Sequence, residues 1–382
     1  MLTRLAREAG EEDPGVEPQI DSLVVLDRGV DLVSALPTQL TYEGLLDELF
    51  RLDCASISLT EPEHRVVPLS SQEELYQELR GLNFNAVGPT LSRKAKSISA
   101  QFEERHEART VREIKQFVDR LPGMQTAKTS LALHTTLAEM VKQRIDSEEF
   151  LHGLELEQRL LVGGGEAGRY LDELEDLVLG SDVSPTKVLR LLCLQSVVCG
   201  GLKPRVLEGY RRLVMEAYGY GWLATLDRLG EAGLLCSTPS TRRPAFPATA
   251  RRLNLIVDNV DEQNPSDIAY VHSVYAPLSV RLVQQLESPG WRNIREVLDT
   301  LPGPSMEDSQ QVRGRAAGTK TGGRKTVLVF FVGGVTMAEV AALRFLSQQE
   351  DSTVEYMVAT TSVVTGSSLL ESLYTPLEAP PF

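Results

Sequence analysis

The feature that most constrains this chain is where its strand signals fall. A short β-rich run, "DSLVVLD", ends at Asp27. From Thr41 to about Gly233 no strand of any strength can be read. Strand patterns return in "IAYVHS" (268–273), "TVLVFFV" (326–332) and "VEYMVAT" (near 354–359), with helical segments between them at 278–286, 291–299 and 336–347. Near-continuous apolar runs suit strands buried on both faces, as in a parallel sheet. The order of strand, helical block, then β/α alternation predicts an α/β fold: a parallel sheet domain interrupted by a large all-helical insertion. The four strand segments are expected to share one sheet.

The chain divides accordingly. Residues 1–20 read as a residual helix (3–9) and an acidic, Pro/Gly-broken linker, "GEEDPGVEP". Residues 21–40 and 253–382 form a discontinuous α/β domain. Residues 41–180 are the helical insertion, and 181–252 a helical part suited to partner binding. Thr41 opens a helix through an incomplete capping box, with Glu43, Asp47 and Glu48 nearby, and "SSQEELYQELR" puts Ser71 at a cap with Glu74 three residues on. One helical face runs through Leu91, Ala95, Ile98 and Phe102, then Ile114, Phe117, Val118 and Leu121, the last three expected in a core. "LPGM" is expected to break it at Pro122, so that 131–145 forms the second arm of a helical hairpin. Further helices are predicted at 168–179, 185–199, 204–218 and 221–232. Residues 237–252 and 302–325 read as polar loops.

Composition excludes several functions. The 382 residues allow two or three domains, and a net charge of −14 argues against a general binder of nucleic-acid backbones. The 4 cysteines show no CxxC and read as free thiols in a reducing compartment. The 5 histidines are scattered, so no metal site is expected. The longest apolar run, "TVLVFFVGGV", is about half a membrane span, and the start lacks the apolar core of a signal peptide. Any membrane association is therefore expected through partners.

Three stretches invite a chemical reading. Asp27 and Asp31 end the first strand, where ligands of open α/β sheets lie. "DRGVD" is no DxD pair, however, and Arg28 offers an internal partner; capping and pairing is the better reading. "GTKTGGRKT" nearly spells a phosphate loop, but Arg324 interrupts it and a strand follows it, where a helix should. "VFFVGGVTMAEVAALRFL" places Gly333 and Gly334 before a capping box of Thr336 and Glu339, which tight strand-to-helix packing explains without a cofactor. No nucleophile–base pair stands out. "YRRLVMEAYGYGWLATLDRL" (210–229) gathers Tyr210, Tyr218, Tyr220 and Trp222 beside Arg211 and Arg212, the residue types that anchor interfaces.

Taken together, "LDRGVDLVSALPTQLTYEGLLDELF", "VLRLLCLQSVVCGGLK", "SPGWRNIREVLDTLPGP" and "VLVFFVGGVTMAEVAALRFLSQ" resemble the SM (Sec/Munc) proteins, regulators of SNARE-mediated membrane fusion. The resemblance runs from about residue 21 to 372 and implies no enzymatic activity and no cofactor. It implies SNARE proteins as partners, membership of the HOPS and CORVET tethering complexes, and a cytoplasmic protein peripheral on late endosome, lysosome or vacuole membranes. It also implies docking of an α-solenoid tether subunit of the Vps-sixteen type on Arg211, Tyr220 and Leu223. A helical hairpin around 115–160 is the candidate template for SNARE helices, with Lys128, His134, Lys142 and Arg144 as exposed contact candidates. Family members carry an additional N-terminal α/β domain; against that pattern the chain reads as a fragment, a truncated gene model or a short isoform. The segment 51–70 also reads as shortened. The competing readings are a nucleotide-dependent phosphohydrolase using Asp27 and the glycine turns, and a non-functional truncated product with an uncovered α/β face.

Overall fold

The computed structural model describes residues 19–59, 65–107, 111–163, 170–180, 183–238, 245–287, 290–308 and 324–374. The helix expected at 3–9, its acidic linker and most of the loop at 302–325 lie outside the described residues. The chain opens with β1 (Ser22–Asp27), makes 3-10 turns at Arg28–Val30 and Val33–Ala35, and enters the helical block through α1 (Tyr42–Phe50). Three short strands follow, β2 (Leu52–Asp53), β3 (Ser56–Leu59) and β4 (Arg65–Pro68). The helices α2 (Glu74–Leu79), α3 (Phe84–Glu107), α4 (Val111–Ile145), α5 (Glu148–Gly163), α6 (Leu171–Gly180), α7 (Pro185–Val198), α8 (Pro204–Tyr218) and α9 (Leu223–Glu231) complete the block. The chain returns through α10 (Ala245–Leu253), α11 (Leu278–Glu287), α12 (Arg295–Leu298), β5 (Lys325–Val332), α13 (Met337–Gln348), β6 (Val354–Thr360) and α14 (Gly366–Glu371).

The two ends of this path meet in one parallel sheet of order β1-β5-β6. Val24 and Leu26 of β1 join Val329 and Phe331 of β5 in a core closed by Ala338, Ala341 and Ala342 of α13 and by Val280 and Val283 of α11. Three expectations need correction here. The segment 268–273 is no strand: Ile268–Val271 is a 3-10 turn, capped by Asp267 Oδ1 accepting from Ala269 N–H at 2.8 Å, and it packs against α13. β1 is covered on one face only, since Leu23 and Val25 are 50% and 55% exposed. Strands do occur within the helical block, where β2, β3 and β4 form a small antiparallel sheet whose Ile57, Leu59 and Val67 pack on Tyr42, Leu45 and Tyr76.

The helix starts follow local chemistry. Thr41 caps α1 by accepting from Gly44 N–H at 3.2 Å, and the capping box of Thr336 and Glu339 on α13 is complete. Ser71 is not a cap: α2 begins at Glu74, and Ser71 instead accepts from Arg80 Nη1 at 2.8 Å. Pro122 does not end a helix either. α4 runs straight through it as a single 35-residue element. Interior proline costs about 3 kcal/mol. Burial of Met124, Leu137 and Val141 further along the same helix offsets that cost.

A third core centres on α7, buried along most of its length. One α7 residue reaches out of that core. Arg190 donates to Glu48 of α1 at 2.9 Å from each of Nη1 and Nη2, and its Nε binds the Leu36 carbonyl of the connector after β1. Glu157 of α5, 3.9 Å from Arg190 Nε, accepts from Thr38 N–H at 2.7 Å and from its hydroxyl at 3.0 Å.

Candidate functional site

The carboxylates that end β1 are structural. Asp27 Oδ1 accepts from Gly29 N–H at 2.8 Å and caps the turn. Asp31 is buried and saturated: it accepts from Ser34 N–H (2.9 Å), Ser34 Oγ (2.5 Å) and Ser279 N–H (2.7 Å). Arg28 lies beneath them, its Nη1 donating to Glu339 Oε2 at 2.7 Å and its Nη2 to Glu339 Oε1 at 3.0 Å. Burial alone would lower the Arg28 pKa; Glu339 and Asp31 outweigh it and keep the guanidinium charged. Burial would raise Glu339, but Arg28, Ser279 and Thr336 hold it below the ordinary carboxylate range. Gly333 is required at this junction, because its φ is +93° and a Cβ there would sit 2.9 Å from Arg28 Cβ.

The second candidate region is α4, which lies along α3 and joins α5 through Asp146 and Ser147. Lys128, Lys142 and Arg144 are exposed, as expected. His134 is not. It is fully buried, its Nδ1 2.9 Å from Tyr42 Oη, its ring stacked on Tyr76 at 5.7 Å and its Nε2 3.2 Å from Glu73 Oε1. Burial lowers its pKa against the pull of Glu73. It anchors α4 to α1 and α2 and belongs to the core. A histidine four residues from apolar neighbours carries no sequence mark that separates these roles. Val118, expected in the core, is 56% exposed, and Leu121 is half-buried; the side chain of Phe117 lies outside the described residues.

The third region is the corner between α8 and α9. Gly219, at φ +94°, ends α8, and its N–H donates to the Met215 carbonyl at 2.9 Å. Of the four aromatics gathered here, three face inward. Tyr210 donates to Gln195 Oε1 at 2.6 Å, Tyr218 to the Val183 carbonyl at 2.8 Å, and Trp222 meets Tyr374 edge-on at 5.0 Å. Tyr220 is 81% exposed and Leu223 is 40% exposed. Arg211 forms an ion pair with Asp227, which ties α8 to α9 beside these two side chains. The corner brings Arg211, Tyr220 and Leu223 into one neighbourhood, an apolar tip beside a fixed charge pair.

No helix among the described residues is long and apolar enough to cross a membrane. Comparison with known proteins gives this geometry a context. The model of the Sec1 family matches residues 3–372. Vacuolar protein sorting-associated protein 33A of Rattus norvegicus is 47% identical over 98% of this chain, and the Drosophila melanogaster protein of that name is 36% identical over 98%. The chain spans 65% and 66% of the length of these two relatives. Among solved structures, the SM protein Vps45 in complex with the Qa SNARE Tlg2 shares the fold at a TM-score of 0.64 and 17% identity, covering 97% of this chain and 63% of that one. The Unc18–syntaxin 1 complex of Monosiga brevicollis gives 0.64 at 18%, covering 97% of this chain and 63% of its match. A family model that spans nearly every residue and relatives that align along the same stretch converge: the chain belongs to the Sec1 family.

Proposed function

We propose that this chain is a non-catalytic regulator of SNARE-mediated vesicle fusion, one that templates SNARE assembly as a subunit of HOPS and CORVET tethering complexes in endosome-to-lysosome or vacuole transport. The observation that carries the reading is the split character of α4. One stretch is fixed in a core through His134, Leu137 and Val141, while Val118, Lys128, Lys142 and Arg144 face outward. SNARE motifs are heptad sequences that order only on pairing, and nucleation of such helices is unfavourable. A rigid exposed helix that holds two of them side by side lowers that cost. The relatives, which are vacuolar protein sorting-associated proteins, support the transport route, and the solved neighbours, which hold a Qa SNARE and syntaxin 1, support the partner class. The reading keeps the division into an α/β domain of residues 21–40 and 253–382, a template block of 41–180 and a partner-binding part of 181–252, with peripheral membrane association supplied by partners at the late endosome, lysosome or vacuole.

The tether subunit, an α-solenoid, is assigned to Arg211, Tyr220 and Leu223. Tyr220→Asp and Leu223→Lys remove apolar contact at an exposed tip and leave the Arg211–Asp227 pair intact. Co-purification with the solenoid subunit is expected to be lost in both, with the thermal midpoint within about 2 °C of the parent, as befits surface substitutions. Co-purification that survives both changes refutes the assignment. Charge reversal at Lys128, Lys142 and Arg144 together is expected to weaken capture of SNARE motifs and to leave solenoid binding unchanged.

A further inference from the structure

Between β4 and α2 the chain makes a tight turn. Glu73 N–H donates to the Ser70 carbonyl at 3.0 Å, and Ser70 Oγ accepts from Gln72 N–H at 3.1 Å. Glu73 fastens the turn to α4: its Oε1 accepts from the Ser130 hydroxyl and lies 3.2 Å from His134 Nε2. Ser71 is exposed. Among the described residues its hydroxyl has one partner, Arg80, whose Nη1 donates to Ser71 Oγ at 2.8 Å.

Arg80, at the end of α2, is a half-buried cation that forms no ion pair among the described residues. The carboxylate that acts on it, Glu43, is already engaged: Oε1 accepts from the Tyr76 hydroxyl at 2.9 Å and Oε2 from Arg344 Nη1 at 2.6 Å. Burial and then Arg344 lower the Arg80 pKa, and Glu43 and Tyr76 oppose them only in part. The acids of the turn do not supply the missing partner. Glu73 is held by Ser130 and His134, and the side chain of Glu74 is 93% exposed, 4.0 Å from Lys94. A guanidinium short of an anion therefore rests on an exposed hydroxyl.

We propose that Ser71 is a phosphorylation site and that Arg80 receives the phosphate. A protein kinase transfers the γ-phosphoryl group of ATP to Ser71 Oγ. The new O–P bond forms, the bond to the β-phosphate oxygen breaks, ADP leaves, and the hydroxyl proton passes to the kinase's base. Glu73 and Glu74 follow Ser71 closely and suit a kinase that reads acidic residues after its acceptor. Ser70 is exposed too, but its Oγ accepts from the Gln72 N–H and no arginine meets it among the described residues. The product carries about −1.5 to −2 charges and adds acceptor oxygens where Nη1 already reaches Oγ. Arg80 gains the anion it lacks and binds it through charge-assisted hydrogen bonds. The inference needs only the turn and α2, so it stands apart from the function proposed above.

The test is incubation of the whole chain with recombinant casein kinase, an acidophilic enzyme, and magnesium ATP. Mass-spectrometric peptide mapping then locates the phosphate, and its phosphorus resonance is titrated with pH. Phosphate on Ser71 is expected. Its second ionisation, near pH 6 in an unconstrained phosphoserine, is expected about half a unit lower in the folded chain than in concentrated urea. Arg80→Gln leaves Ser71 exposed and open to the kinase and is expected to abolish that difference; Arg80→Lys, which keeps a cation, is expected to restore most of it. The thermal midpoint is expected to rise by about 2 °C on phosphorylation of the parent and to stay unchanged in Arg80→Gln. An unmodified Ser71, with or without phosphate on Ser70, overturns the proposal. A phosphate on Ser71 that titrates alike in the parent and in Arg80→Gln overturns it as well.

Discussion

His272 shows how much one buried side chain can settle. It is buried beneath the connector after β1, and its Nδ1 lies 3.0 Å from the Thr38 carbonyl. A carbonyl only accepts, so Nδ1 carries the proton and Nε2, without a hydrogen-bond partner among the described residues, is the bare nitrogen. Burial lowers the pKa to about 4, with the Thr38 carbonyl and the more distant carboxylates opposing it. The unfolded chain, with histidine near its ordinary 6.5, binds more protons than the native chain between pH 6.5 and 4. Stability contributed by this residue is therefore complete above pH 6.5 and is lost as the pH falls, by about 3 kcal/mol over the window. Asp47 works in the opposite sense, because its raised pKa makes the native chain bind the extra proton between pH 4 and 6. The clean readout is a difference. Urea melts at pH 7 and 4.5 are expected to show the parent losing about 2–3 kcal/mol more than His272→Gln. Equal losses would place the charge change elsewhere.

At the scale of elements, what the sequence made legible depended on whether local chemistry agreed with the final structure. The capping box of Thr336 and Glu339 and the helices over 185–198 and 204–218 agreed, and they could be read directly. The hairpin of β2 and β3 did not agree. Its two-residue turn is Cys54-Ala55, with φ of +47° and +56°, where glycine and asparagine are the usual occupants. The packing of Ile57, Leu59 and Val67 forms the sheet in spite of its turn. Ala55→Gly removes that conflict and is expected to stabilise the chain by about 1 kcal/mol, seen as a rise in the urea midpoint at unchanged slope. Pro122 misled in the opposite direction: a strong breaker was overruled by burial of Met124, Leu137 and Val141 further along the same helix. His134 failed for a third reason, since exposure on a helix of known phase depends on which neighbours dock there. The outward positions of Lys128, Lys142 and Arg144 were simpler, because long charged side chains are rarely buried unpaired.

At the scale of the molecule, the fold was legible because the strand signals stood at both ends of the chain, and a sheet is the economical way to join them. What could not be read was how the helical block is fastened to that sheet. Arg190 does much of this, gathering the Leu36 carbonyl, Glu48 and Glu157 from three separate elements onto α7. Replacing it leaves two buried carboxylates facing each other without a cation. Arg190→Leu is expected to lower stability by about 3–5 kcal/mol. Tryptophan fluorescence and far-ultraviolet dichroism are expected to report the loss at one common midpoint; separate midpoints would mean that the blocks unfold independently. The topology of the sheet also has a mechanical consequence. β1 and β6 are parallel, lie at opposite edges of one sheet, and carry the first and last regular strands of the described chain. Tension applied at the start of β1 and the end of β6 loads every bond between the strands in shear at once, while the helices strung between β1 and β5 lie outside the line of force. The sheet acts as a shackle, and a contour on the order of 1,000 Å stays slack until it yields.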